Sequence, residues 1–135
     1  MIYFYQKITS KIIRPIIPIV LKSKKSFILY STLIDSGSDY CIFSIEIAQA
    51  LSINLSKGKE VSFIGVGKEK VKGYRGNVEM RVDKSFYELK AIFAEISEFG
   101  HGILGQQGFF DHFDVKLSYQ KQIIEIEPIK EINKN

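Results

Sequence analysis

The chain has 135 residues, 45% hydrophobic and 25% charged, a balance that suits one compact domain and excludes both disorder and a second sizeable core. Net charge is +4, with an isoelectric point near 9.1. The lysines are scattered rather than gathered into a stripe, which argues against a nucleic-acid partner. Cys41 is the only cysteine, so no intrachain disulfide can form and a reducing compartment is the easier fit. The most apolar stretch, "IIRPIIPIVL", is broken by Pro15 and Pro18 and is far too short to span a bilayer. With no signal-peptide pattern at "MIYFYQKITSK", a soluble cytoplasmic protein without membrane contact is expected.

Strand signals dominate the chain. Residues 1–14 are expected to form an N-terminal strand or tail. "PIVLK" at 18–22 and "SFILYSTLI" at 26–34 are β-branched and aromatic runs joined by a polar turn within "KSKK". In the second run Phe27, Leu29, Ser31 and Leu33 share one face, and Ile28, Tyr30, Thr32 and Ile34 the other. Both faces are largely apolar, which predicts a central strand covered on both sides. "SIEIAQALSI" at 44–53 predicts a short helix, with Ser44 as its N-cap, Glu46 in the first turn and Asn54 as a stop.

Alternation then predicts strands over "EVSFIGVG" (60–67), "VKGYRGNVEMRV" (71–82) and "FYELKAIFAEI" (86–96), with Asp83 and Lys84 as a tight turn. "GHGILGQQGFFDHF" breaks the alternation and predicts one or two helical turns. "DVKLSY" and "QIIEIE" predict a hairpin around Gln120 and Lys121. The sum is an all-β sandwich or barrel with one or two short helices. Its body is expected over residues 15–127, with a polar tail over 128–135.

One stretch asks for chemistry. "LIDSGSD" at 33–39 carries an ionisable carboxylate out of an apolar strand and follows it with Ser-Gly-Ser. A buried carboxylate without a partner is costly. An Asp-Ser-Gly triplet alone means little. Here "FIGVG" follows at 63–67 and "GILGQQGFF" at 102–110, in that order and at wide spacing.

Together these segments resemble the signatures of retropepsin-like aspartic proteases, the single-domain, retroviral type, over roughly residues 15 to 127. The resemblance implies the retropepsin-like fold and peptide-bond hydrolysis. A base takes the proton of a water and an acid protonates the leaving amide. Two carboxylates sharing one proton do both, and aspartic proteases are the standard illustration of that effect. The chain has one Asp-Ser-Gly and no second copy or Asp-Thr-Gly, so the resemblance implies a homodimer with Asp35 facing its symmetry mate. No metal or organic cofactor is called for.

The neighbours take roles by the same resemblance. Ser36 matches the hydroxyl that bonds across the dimer, and Gly37 the glycine whose amide approaches the carboxylate. The Ser38 hydroxyl is expected to donate to the ionised Asp35 and to make the pH optimum more acidic than in Ser38→Ala. Asp39 matches an acid that binds substrate backbone and pairs with an Arg after the Ile-Leu-Gly signature. Gln106 stands at that later position, which leaves Gln107 and Arg75 as substitutes. Ile64, Gly65, Val66 and Gly67 match the flap over the substrate, and Ile103, Leu104 and Gly105 the second substrate-binding segment. The substrate is then an extended peptide or protein segment. An alternative keeps the fold and drops the enzyme, leaving a non-catalytic dimerisation or peptide-binding module.

Other motifs yield less. His101 and His112 have no metal-ligand spacing, Cys41 between Tyr40 and Ile42 reads as a small buried hydrophobe, and "GVGKEK" lacks the ending of a phosphate loop.

Overall fold

The structure, a computed structural model, describes residues 1–55, 59–64, 69–97 and 100–130, with Ile64 described by its backbone alone. The elements run β1 (Ile2–Phe4), β2 (Gln6–Lys7), β3 (Ile13–Arg14), β4 (Ile16–Ser23), β5 (Ser26–Ile34), β6 (Ile42–Ser44) and α1 (Ile45–Ala50). They continue with β7 (Glu60–Ile64), β8 (Lys70–Val82), β9 (Ser85–Ala94), β10 (Gly102–Leu104), β11 (Phe113–Ser118) and β12 (Ile123–Pro128). The protein is all-β with little helix, as the sequence implies.

The main sheet has the order β4-β5-β10-β6-β9-β8-β7. β4 also pairs with β8 through Val20↔Arg81, Leu21↔Met80 and Lys22↔Glu79, so all of these strands but β7 close into a barrel. Two hairpins shape it. Lys24 and Asp83 take left-handed backbone angles (φ 55° and 53°) in the β4–β5 and β8–β9 turns. Lysine and aspartate tolerate this at modest cost where the strands on either side fix the turn.

Inward residues of the barrel make the core. Ile17, Ile19 and Leu21 from β4 meet Phe43, Met80, Phe93 and Leu104, each at most 1% exposed. Phe43 and Phe93 meet edge-on with centroids 6.0 Å apart. Each such side chain contributes about 1.5–3 kcal/mol by leaving water. The buried Thr32 hydroxyl donates to Ile17 O at 3.0 Å, so the core holds a polar atom without leaving it unpaired. A second sheet, β1-β12-β11, joins the first strand to the C-terminal hairpin, with Ile2↔Glu125 and Phe4↔Ile123 in register.

Three local expectations change. β5 is central in the sheet but covered on one face: Phe27 and Leu29 are 71% and 72% exposed. They lie on the outside of the barrel wall, where no further layer of the chain packs. α1 starts at its expected cap, with Glu46 N–H donating to Ser44 Oγ at 3.3 Å, but it stops at Ala50 because Ser52 turns left-handed at φ 56°. The segment after Gly105 is a chain of turns rather than helix. Gly108 at φ 104° interrupts it, and Phe110 N–H reaches back to Gly105 O while His112 N–H reaches Phe109 O. Among the described residues no helix is long and apolar enough to cross a membrane.

Candidate active site

The site is built where two distant segments run side by side. β10 pairs with β5 in parallel, Ile103↔Leu33 and Leu104↔Ile34. Asp35 N–H then donates to Leu104 O at 3.0 Å, which continues the ladder by one residue and fixes where the acid leaves the sheet. From there the chain folds tightly. Gly37 N–H donates to Asp35 Oδ1 at 2.9 Å, and Ser38 N–H donates to Asp35 O at 3.1 Å. The carboxylate is half-buried, with one oxygen held by a backbone amide.

The loop then crosses directly over Gly105. A Cβ there would lie far inside van der Waals contact with Tyr40 O and 2.6 Å from Ser38 O, so no other residue fits without moving backbone. Gln106 N–H donates to Ser38 O at 2.8 Å and Gln107 N–H donates to Asp39 O at 2.9 Å, with Tyr40 and Gln107 in a parallel bridge. The Gln106 side chain adds a third tie, its Nε2 donating to Ser36 O at 2.7 Å. Among the described residues the hydrogen bonds between the two motifs all end on main-chain carbonyls, and none uses the Asp35 carboxylate.

The sequence-predicted residues divide accordingly. Asp35, Ser36, Gly37, Ser38, Asp39, Ile103, Leu104 and Gly105 converge on one loop pair. Leu104 is fully buried in the core, so its carbonyl and not its side chain reaches the site. Ile103 is half-buried on the outer face, packed with Tyr40, Val61, Phe63 and Val71 around the buried Ile42 and Ile92. Ile64 ends β7, and Gly65, Val66 and Gly67 lie outside the described residues.

Two expected contacts differ. The Ser38 hydroxyl donates to Tyr40 O at 2.8 Å and not to the Asp35 carboxylate. A hydroxyl offers a single proton, and the adjacent carbonyl takes it. Ser38→Ala is thus expected to lower stability by about 1 kcal/mol, with the pH of the activity optimum unmoved. Chemical denaturation and a pH–rate profile check both halves. Arg75 does not answer Asp39 either: its guanidinium sits 4.9 Å from the centroid of the Tyr40 ring. Gln107 meets Asp39 only through backbone.

Sequence reasoning passed over two contributors. Gln106 was read as a missing cation, yet its neutral amide supplies a donor to the loop; an amide directly after Ile-Leu-Gly was the available signal. Tyr87 braces the turn beyond it. Its hydroxyl donates to Gly108 O at 2.6 Å, and its ring stacks on His112 with centroids 3.8 Å apart. Asp111 Oδ1 accepts from Gly108 N–H, and Gly108 packs against Cys41. Burial pushes the Cys41 thiol up to about 12 and raises the Tyr87 hydroxyl as well, so both stay protonated at neutral pH and serve as packing groups. His101 Nδ1 lies 3.0 Å from Gly102 O, and no group of three or more metal-ligating side chains occurs among the described residues.

The comparisons agree with this geometry. Residues 29–107 match the family model described as aspartyl protease, which takes in β5, the Asp35 loop, β10 and Gly105. No curated protein matches. Among solved structures, the chain is similar to EIAV protease complexed with the inhibitor HBY-793, at 18% identity and a TM-score of 0.54, covering 75% of this chain and 88% of that one. It is also similar to the retroviral protease-like domain of Ddi1 from Leishmania major, at 14% identity and a TM-score of 0.60, covering 88% and 92%. At such identities the likeness speaks for the fold, and the fold is retropepsin-like. With the family model matched across the whole catalytic-type loop pair, the chain belongs to the aspartyl protease family.

Proposed function

We propose that the protein is an aspartic endopeptidase that works as a homodimer in the cytoplasm. The observation that carries this reading is the parallel pairing of β5 with β10, which seats the Asp-Ser-Gly loop on the Ile-Leu-Gly strand and holds the Asp35 carboxylate from one side only. One chain supplies half a site. A second copy related by a two-fold axis brings another Asp35 opposite, and like charges that close share one proton.

The unprotonated carboxylate then takes a proton from the water between them as its oxygen attacks the peptide carbonyl. The protonated one stabilises the developing oxyanion, and a proton passes to the amine as the C–N bond breaks. Ser36 is exposed at the loop tip, and its hydroxyl bonds across the axis of the proposed dimer. An extended substrate lies in the groove between the two copies, with Ile64 to Gly67 as its cover and Asp39 and Ile103 beside it.

Dilution tests the shared site. Cleavage of a randomised peptide library by the wild-type protein is expected to fall with the square of protein concentration once the dimer dissociates. Constant activity per chain from a species of monomeric mass would overturn the proposal, and binding without cleavage would favour a peptide-binding module.

A further inference from the structure

We propose that Arg75 selects an acidic side chain in the substrate, about six residues from the scissile bond; this deepens the protease reading and rests on it. The placement follows from register. Arg75 of β8 stands opposite Ile92 of β9, which stands opposite Ile42 of β6, which stands opposite Ile103 of β10, itself opposite Leu33 of β5. Directly opposed residues share a face of the sheet. One transverse row thus runs from Arg75 to the strand that leads into Asp35.

With strands roughly 4.8 Å apart, Arg75 lies about 14 Å from Ile103 and about 20 Å from Asp35, one strand across and two residues along, the distance an extended peptide covers in about six residues. The ground between is apolar. Ile42 and Ile92 are buried beneath half-buried Tyr40, Val61, Phe63 and Val71, which gives a floor for methylene groups. At its far edge the half-buried guanidinium rests on Tyr40, whose backbone abuts Gly105. Tyr40 therefore ties the position of the cation to the loop that carries the acid.

Charge decides what fits there. Among the described residues no ion pair involves Arg75. Stacking on an aromatic ring uses the flat face of a guanidinium and leaves its edge donors for a bidentate carboxylate. Lys90 lies on the same face two residues before Ile92. The nearest acids along that face of β8 and β9, Glu79 and Glu88, are opposed to each other one further step away, roughly 13 Å along the strand. A half-buried cation with no ion pair among the described residues, at the edge of an apolar floor leading to the Asp35 loop, fits the carboxylate of a Glu whose methylenes lie on that floor.

The test uses peptides with one apolar centre and Glu, Gln or Lys at the sixth position from it. Cleavage by wild type, Arg75→Gln and Arg75→Glu is read as kcat/KM, and binding is read by fluorescence anisotropy on Asp35→Asn forms of the same proteins. The expected Glu-to-Gln ratio is about fivefold to tenfold in wild type, mostly in KM. It falls toward unity in Arg75→Gln, and Arg75→Glu turns the preference to Lys. A ratio near unity in wild type, which needs no variant to fold, overturns the proposal. Cleavage without the preference removes the subsite and leaves the protease. Arg75-dependent preference in binding, with no cleavage by any form, keeps the subsite and removes the protease.

Discussion

Asp35→Asn is expected to abolish peptide hydrolysis, with kcat/KM down by about a thousandfold or more. The amide neither takes a proton from water nor shares one with a partner carboxylate. Its oxygen still accepts the Gly37 amide that Asp35 Oδ1 accepts at 2.9 Å, and Asp35 N–H still reaches Leu104 O, so the fold should hold. An unchanged thermal midpoint beside lost cleavage would place the defect in chemistry. The dimer adds a sharper version. In an equimolar mixture whose subunits exchange freely, about a quarter of the dimers carry two native acids. Activity per wild-type chain should therefore halve. Retained activity in the variant, or a mixture in which wild-type chains lose nothing, would sink the shared-carboxylate mechanism.

Gly105→Ala should be the most damaging methyl at any described glycine. The new carbon meets Tyr40 O and Ser38 O, both backbone atoms, and neither can swing aside as a side chain would. Those carbonyls also belong to the ties with Gln106 N–H and the Ser38 hydroxyl, so relief of the clash breaks hydrogen bonds. Overpacking of this kind costs about 3 kcal/mol, or roughly 10 °C in Tm for a domain of this size. Cleavage should fall further than stability does, because a loop displaced by about 1 Å misplaces the acid. Calorimetry and peptide kinetics on the same preparation check the two effects. A variant that melts like wild type would mean that the Asp35 loop does not sit on Gly105.

How much of this was legible beforehand depends on the kind of information each feature needs. The strands β4, β5, β7, β8, β9, β11 and β12, both tight turns and the Ser44 cap are local, and alternation, Lys24, Asp83 and a Ser-initiated helix announce them; β6 and β10, three residues each, do not show in the alternation. The meeting of Asp35 with Leu104 and Gly105 is non-local and came through the paired motifs rather than through any periodicity. Periodicity failed on β5, since an outward Phe27 and Leu29 read like inward ones when nothing in the string tells which face has a second layer. It failed after Gly105, where a single positive φ at Gly108 outweighs an amphipathic pattern. The donors of Ser38 and Gln106 went to carbonyls, and no sequence shows where a main-chain oxygen lies.

The tie between Gln106 and Ser36 spans 70 residues of chain. Closing so wide a loop is entropically slow, and contacts of this range form late on the way to the native state. A nascent polypeptide still on the ribosome holds its acid on an untethered turn until the tenth strand has emerged. On the proposed reading, proteolytic competence comes only with the finished barrel.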